Sequence, residues 1–305
     1  MKAPSPKATA ILLMIGAIFC FSVMDATAKA LAPRIGTIPA VWARYAGQAL
    51  VVLILVAPRL RSVARSNYPW LQLARSILLM FGTLFFFFSV ANIGLTEATA
   101  IMNINPVIIT LGAALFLGEK IGLRRILGIA AALVGAMIII RPGSDVFSPY
   151  AVLPLIAAFA YSAYNITTRF VGQNEDPWTS LLYTALFGAV IMTIAVPFYW
   201  QPLDLVSAGL MCLIAVFGTM SQILLIRALS MGEAGMLAPF AYSGLIFATV
   251  WGVVFFNEYP DRYTVIGAVI IVVAGVYVWY RETFGTRASR RLAAAQARSG
   301  DPESE

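Results

Sequence analysis

The chain has 305 residues, of which 60% are apolar and only 11% charged, with a mean hydropathy of +0.85. Soluble domains run about 45–50% apolar and roughly 25% charged, so the composition argues against a soluble globule. Histidine is absent, which removes the commonest metal ligand, the usual proton shuttle near neutral pH and the base of Ser-His and Cys-His nucleophilic sites.

A helix needs roughly 20 apolar residues to cross the hydrocarbon core. Runs of that kind, separated by Pro, Gly or clustered charge, fall at 8–31, 37–57, 70–91, 96–117, 122–140, 149–170, 178–197, 205–229, 234–256 and 262–281. The sequence therefore predicts an all-α polytopic membrane protein. Its linkers are too short for an extramembrane domain, so no soluble catalytic or nucleic-acid-binding module is expected between spans. The opening Met1 to Lys7 and first run resemble a secretory signal, and Ala26-Thr27-Ala28 offers a cleavage-like triplet. The run is longer than a signal core and carries Asp25, which favours an uncleaved first helix.

Basic residues orient such a chain. With a cytoplasmic N-terminus, fifteen of the 21 Lys and Arg fall on the inner side, among them Arg59, Arg61, Arg65, Lys120, Arg124 and Arg125. Lys29, Arg34, Arg141 and Arg262 fall at outer ends, and Arg44 and Arg75 lie inside spans. Both termini are expected in the cytoplasm, in a membrane of the bacterial inner type, and residues 282–305 as a basic, disordered tail. The basic balance is then explained by topology and anionic lipid and requires no nucleic acid. Cys20 and Cys212 sit in apolar runs without CxxC spacing, so both are expected as small buried hydrophobes. Neither a metal nor a cofactor site is suggested.

Internal repetition is visible across the two halves. Phe116-Leu117-Gly118-Glu119-Lys120 followed by Gly128 and Gly135 matches Phe255-Phe256-Asn257-Glu258-Tyr259 followed by Gly267 and Gly275. Thr96-Glu97-Ala98 similarly matches Gly232-Glu233-Ala234. The copies are five spans apart, and because five is odd, equivalent helices cross the membrane in opposite directions. That is an inverted repeat, a recurring design of secondary transporters.

These residues resemble the drug/metabolite transporter superfamily, specifically EamA-type transporters with two five-helix repeats, here 8–140 and 149–281. The likeness rests on Asn105-Pro106 through Leu117-Gly118-Glu119, Arg124-Arg125 and Gly128 to Arg141-Pro142-Gly143 in the first half. In the second half it rests on Ala238-Pro239-Phe240-Ala241-Tyr242 through Glu258-Tyr259-Pro260-Asp261 to Gly267 and Gly275, with Asp25, Lys29 and Arg44 matching near the start. The resemblance implies carrier-mediated movement of small organic solutes through a central cavity. Members handle amino acids, S-adenosylmethionine-like compounds, vitamins such as riboflavin, and drugs.

Ionisable residues inside a span usually face a cavity or a partner. Ser22, Asp25 and Lys29 share a helical face, and Asp25 and Lys29 form an i, i+4 acid-then-base pair. Two readings stand for Asp25 and Arg44: a structural ion pair, or charge contacts on the solute pathway with Asp25 also a proton acceptor. Span six presents Tyr161, Asn165 and Thr168, span eight Thr219 and Gln222, span four Asn103 and Asn105 before Pro106, and span nine Tyr242, Ser243 and Trp251. Individually these can be interhelical glue. Together they suit a solute site near the midplane. Glu119 and Glu258 are expected to satisfy amides at the start of the helix that follows each.

No GxxxxGK[ST] loop is present, so ATP does not drive the chain directly. No carboxylate cluster of the DxxxD kind sits at a membrane face, which disfavours an enzyme. The expectation is a secondary carrier, with proton or sodium coupling open. An exporter of the same fold, a channel and a non-transporting scaffold are the alternatives.

Overall fold

The computed structural model describes residues 6–109, 112, 123–144, 147–171, 175–231 and 237–299. Every regular element among them is helical. In chain order these are α1 (Pro6–Ile35), α2 (Thr37–Val56), α3 (Leu60–Val63), α4 (Pro69–Asn92), α5 (Leu95–Met102), α6 (Leu123–Ile140), α7 (Leu153–Val171), α8 (Pro177–Ala195), α9 (Leu205–Met231), α10 (Ser243–Phe256) and α11 (Arg262–Ser299). Seven helices are long and apolar enough to cross a membrane, and Leu95–Ile109, Ile126–Ile140 and Phe240–Phe256 are shorter apolar ones.

Punctuation in the sequence sets the boundaries. Pro69 and Pro177 open α4 and α8, where a missing N–H costs nothing, and the Asp176 side chain accepts the Trp178 amide. The run expected as one span at 96–117 is broken. α5 stops at Met102, residues 103–104 form a turn, and helix resumes over 105–109. Pro106 cannot donate to the Met102 carbonyl, and the Ile104 amide turns instead to Ile101 at 3.1 Å. The span expected from 234 likewise has a 3-10 turn, Ala238–Tyr242, before α10. α11 continues to Ser299 where a disordered tail was expected, because its Arg, Leu, Ala and Gln residues are good helix formers. Cys20 is buried as expected, but Cys212 is exposed on the outer wall of α9.

The helices pair across the halves. α1 packs on α9, α4 on α7, α2 on α8, α5 on α10 and α6 on α11. Exchanging the two halves converts the α1–α9 pair into the α7–α4 pair and leaves the other three pairs as they are, so the contact pattern carries the symmetry of the sequence repeat. Small residues permit the closest approaches. A Cβ at Gly135 would come within 2.8 Å of the Gly267 carbonyl oxygen, and one at Gly267 within 2.5 Å of the Gly135 oxygen. Around this core, Leu50, Ile54, Ile194, Val254 and Val273 face outward, as a hydrocarbon solvent requires.

Candidate functional site

A cavity of about 200 Å3 lies at the centre of the bundle, and Asp25, Arg44, Thr83, Asn103, Asn105 and Tyr161 supply much of its polar lining among apolar neighbours such as Phe21 and Phe86. Five separate segments thus contribute to one wall. The breaks described above matter here, because the interrupted stretch around Asn103 to Pro106 and the start of α10 at Gly244 both border the cavity.

Arg44 is only 4% exposed. It donates from Nη1 to Thr83 Oγ1 at 2.8 Å, and its guanidinium lies 5.4 Å from the Tyr45 ring and 5.9 Å from the Phe87 ring. Thr83 donates its own proton to the Leu79 carbonyl at 2.9 Å. Its oxygen therefore accepts, both from Arg44 and from the Tyr45 hydroxyl at 3.1 Å. Tyr45 is fixed in turn by Gly188, whose missing side chain leaves the space that the ring fills. After these contacts Arg44 Nε has no partner, nor has Asn103 Nδ2. A buried donor without an acceptor costs about 1–3 kcal/mol, more when charged, so an acceptor that reached either atom would relieve that cost.

The carboxylate expected to pair with Lys29 does not. Lys29 reaches away from Asp25 to Glu258 Oε1 at 2.8 Å and to the carbonyls of Val90 at 2.8 Å and Ile93 at 2.6 Å. All three ammonium protons are engaged, because the end of α4 and the turn before α11 offer oxygens closer to the bundle's rim. Among the described residues Asp25 has no hydrogen-bond or ion-pair partner. It faces the cavity in the same wall as Arg44, whose charge acts on it without direct contact.

Glu258 is also placed differently from expectation. Its Oε2 accepts the Leu95 amide at 3.0 Å, so it caps α5 across the bundle and not the helix that follows it. The cause is Asn257, which ends α10 in the left-handed region at φ 56 and turns the next residue toward α5. Glu119 lies outside the described residues.

Of the other residues expected at the site, Asn105 and Tyr161 line the cavity. Trp251 stands behind it, donating from Nε1 to Ser22 Oγ at 3.0 Å. Asn165 donates to the Tyr161 carbonyl at 2.8 Å, which supports the lining tyrosine from one turn away. Gln222 is 3% and Tyr242 8% exposed, yet neither borders the cavity; Tyr242 packs against Gly275. Sequence reasoning missed Thr83, a small residue on a helix carrying no other polar group for a turn on either side, whose role appears only when α2 is laid against α4.

A second buried cation, Arg75, sits closer to the other end of α4. It donates to Thr168 Oγ1 at 2.6 Å, Gln72 Oε1 at 2.8 Å, Tyr164 Oη at 3.1 Å and the Ser180 carbonyl at 3.1 Å. These neutral acceptors lock α4, α7 and α8 together outside the cavity.

Comparison with known proteins fits this architecture. The chain is 30% identical to the pseudopaline exporter of Pseudomonas aeruginosa over 87% of its length and 93% of the relative's. It is 27% identical to the S-adenosylmethionine uptake transporter of Rickettsia bellii, covering 86% and 90%, and 29% identical to the riboflavin transporter of Rhizobium johnstonii, covering 92% and 93%. A crystal structure at 18% identity superposes with a TM-score of 0.63 over 93% of this chain and 99% of its own. The pattern of the EamA-like transporter family matches residues 8–141 and again 148–280, and the chain is a multi-pass bacterial membrane protein belonging to that family of drug/metabolite transporters.

Proposed function

We propose that the chain is a secondary carrier that moves a small organic metabolite across the cytoplasmic membrane by alternating access at the central cavity. Ten membrane helices in two inverted five-helix repeats, with both termini cytoplasmic, would supply the two exchangeable halves. The observation that carries the substrate side is the Asp25 carboxylate and the Arg44 guanidinium in one cavity wall, acting on each other without direct contact. Ionisable groups inside a span mark solute pathways, and an occupant with one cationic and one anionic group fits between these two.

Amino acids and S-adenosylmethionine-like solutes meet that description, while a vitamin such as riboflavin would use the aromatic and amide groups instead. One relative is named for uptake and another for export, and an exporter reading is compatible with the same site. Asp25 is the first candidate for proton coupling, since no histidine is present; sodium coupling and ion-independent exchange are the other modes.

The test is counterflow in proteoliposomes. Saturable exchange of a zwitterionic solute, lost in Asp25→Asn and Arg44→Gln, supports the reading. Accumulation under a pH gradient that is identical in wild type and Asp25→Asn removes Asp25 from coupling. Conductance without saturation makes the protein a channel, and no flux of any solute makes it a scaffold.

A further inference from the structure

Between α4 and α8 runs a second cleft of about 570 Å3, lined by Leu73, Leu182, Leu186 and Phe187 with Trp70 at its edge. It shares no residue with the solute cavity. Ala64 closes one end, where the Tyr183 hydroxyl donates to its carbonyl at 3.1 Å. Trp70 is 81% exposed, so the cleft opens on the outer surface of the bundle beside the first turn of α4.

The segment that closes this end carries Arg59, Arg61 and Arg65, all exposed. None of the three has an acidic partner among the described residues. Arg59 is held 5.4 Å from the Trp178 ring at the first turn of α8, which sets one guanidinium on the cleft's flank. The two acids that the fold brings to this end, Glu175 and Asp176, take their hydrogen bonds from neutral donors. Glu175 accepts from the Ser66 hydroxyl, the Asn67 amide and Gln72 Nε2, and Asp176 accepts from the Trp178 amide. An apolar cleft thus ends at a segment bearing three cations that make no ion pair among the described residues.

We propose that this cleft binds one anionic phospholipid, with an acyl chain along Leu73, Leu186 and Phe187 and the phosphate on Arg59, Arg61 and Arg65. The pairing of parts selects the ligand. A soluble anion would use the arginines and leave the slot empty; a zwitterionic phospholipid would fill the slot and bring its own ammonium against the arginines. Guanidinium groups bind phosphate through parallel N–H donors, and basic pockets between membrane helices take anionic head groups. A lipid there touches α4 and α8, whose other faces hold Thr83 and the Gly188 shelf beneath Tyr45.

The experiment is native mass spectrometry and thermal melting of the full chain in neutral detergent, titrated with phosphatidylglycerol or phosphatidylcholine. One phosphatidylglycerol is expected to be retained and to raise Tm, and phosphatidylcholine is not. At on the order of five-fold per arginine, Arg59→Gln/Arg61→Gln/Arg65→Gln should weaken phosphatidylglycerol about a hundred-fold. Arg287→Gln/Arg290→Gln/Arg291→Gln, which removes the same charge from the C-terminal segment, should leave it unchanged. Leu186→Trp should fill the slot and lose the lipid with the arginines intact; if that variant does not fold, the arginine variants decide alone. Equal retention of both lipids, an unaltered affinity in the Arg59, Arg61 and Arg65 variant, or full displacement by soluble glycerol phosphate would each overturn the proposal.

Discussion

Thr83 decides how Arg44 is held. Its hydroxyl proton is committed to Leu79, so only its lone pairs face Arg44 and Tyr45. Thr83→Ser keeps that arrangement and should transport with little change. Thr83→Val keeps the shape but removes the acceptor from a buried cation. Hydrogen bonds to charged groups contribute about 1.5–3 kcal/mol, so the half-saturation concentration for uptake into proteoliposomes should rise roughly ten- to hundred-fold. An unchanged value in Thr83→Val would mean that Arg44 does not depend on this contact. Asp25, Arg44, Asn105 and Tyr161 could be picked out in the sequence because a polar or ionisable residue inside an apolar run has few reasons to be there. Thr83 could not, since threonine crosses membranes freely by bonding its own helix. Gln222 and Tyr242 show the converse: the same polarity that drew attention to them is buried between helices, off the cavity wall.

At the scale of elements, the joints between helices carry more of the architecture than the helices themselves. Lys29 joins α1 to the end of α4 and to Glu258, and Glu258 caps α5. α5 holds Thr99 and Met102 in the cavity wall, so this joint positions the site from its rim. Glu258→Gln retains an acceptor for the Leu95 amide and loses the ion pair, whereas Glu258→Ala loses both. Melting temperatures in detergent should therefore fall in the order wild type, Gln, Ala, with the final step near the roughly 1 kcal/mol of a lost helix cap; equal values for Gln and Ala would show that the cap contributes nothing.

The neighbouring tie from Arg141 to Asp261 responds to acid. Partial burial opposes ionisation of Asp261, but the hydrogen bonds from Thr264 and Arg141 outweigh it and hold the carboxyl below its usual value. The unfolded chain then takes up the proton first as pH falls. The stabilisation is complete above about pH 4 and disappears as pH drops through the lower folded value. Asp261→Asn should flatten the loss of Tm on acidification in that window, and curves that remain parallel would rule the residue out. Helix ends at proline and glycine were legible in the sequence. The destination of Lys29 was not, because i, i+4 spacing identifies the partner available within one helix and says nothing of a carboxylate more than two hundred residues away, Glu258.

The whole molecule is organised by the same two-fold exchange that relates the halves of the sequence. Repeated Glu and Gly positions announced equivalent helices, and the five cross-half pairings in the structure obey that equivalence. Which helix meets which could not be read from periodicity, since a lipid-facing and a partner-facing stripe are both apolar; only glycines such as Gly135 and Gly267 mark a contact face. Orientation in the bilayer rests on the basic residues. The contacts sort the loops into two sets: Arg34 meets Asp204 and Arg141 meets Asp261 at one end, while Ser66 meets Glu175 at the other. The second end also holds Arg59, Arg61 and Arg65, which the positive-inside rule assigns to the cytoplasm. Ser144 and Ser62 are exposed on opposite sides of this division. In a chain with Cys20→Ala and Cys212→Ala, a membrane-impermeant thiol reagent added to intact cells should label Ser144→Cys and spare Ser62→Cys, with both labelled after permeabilisation. The reverse pattern would turn the molecule over in the membrane, placing Lys29 and Glu258 on the cytoplasmic face and the three arginines of the α4–α8 cleft in the outer leaflet.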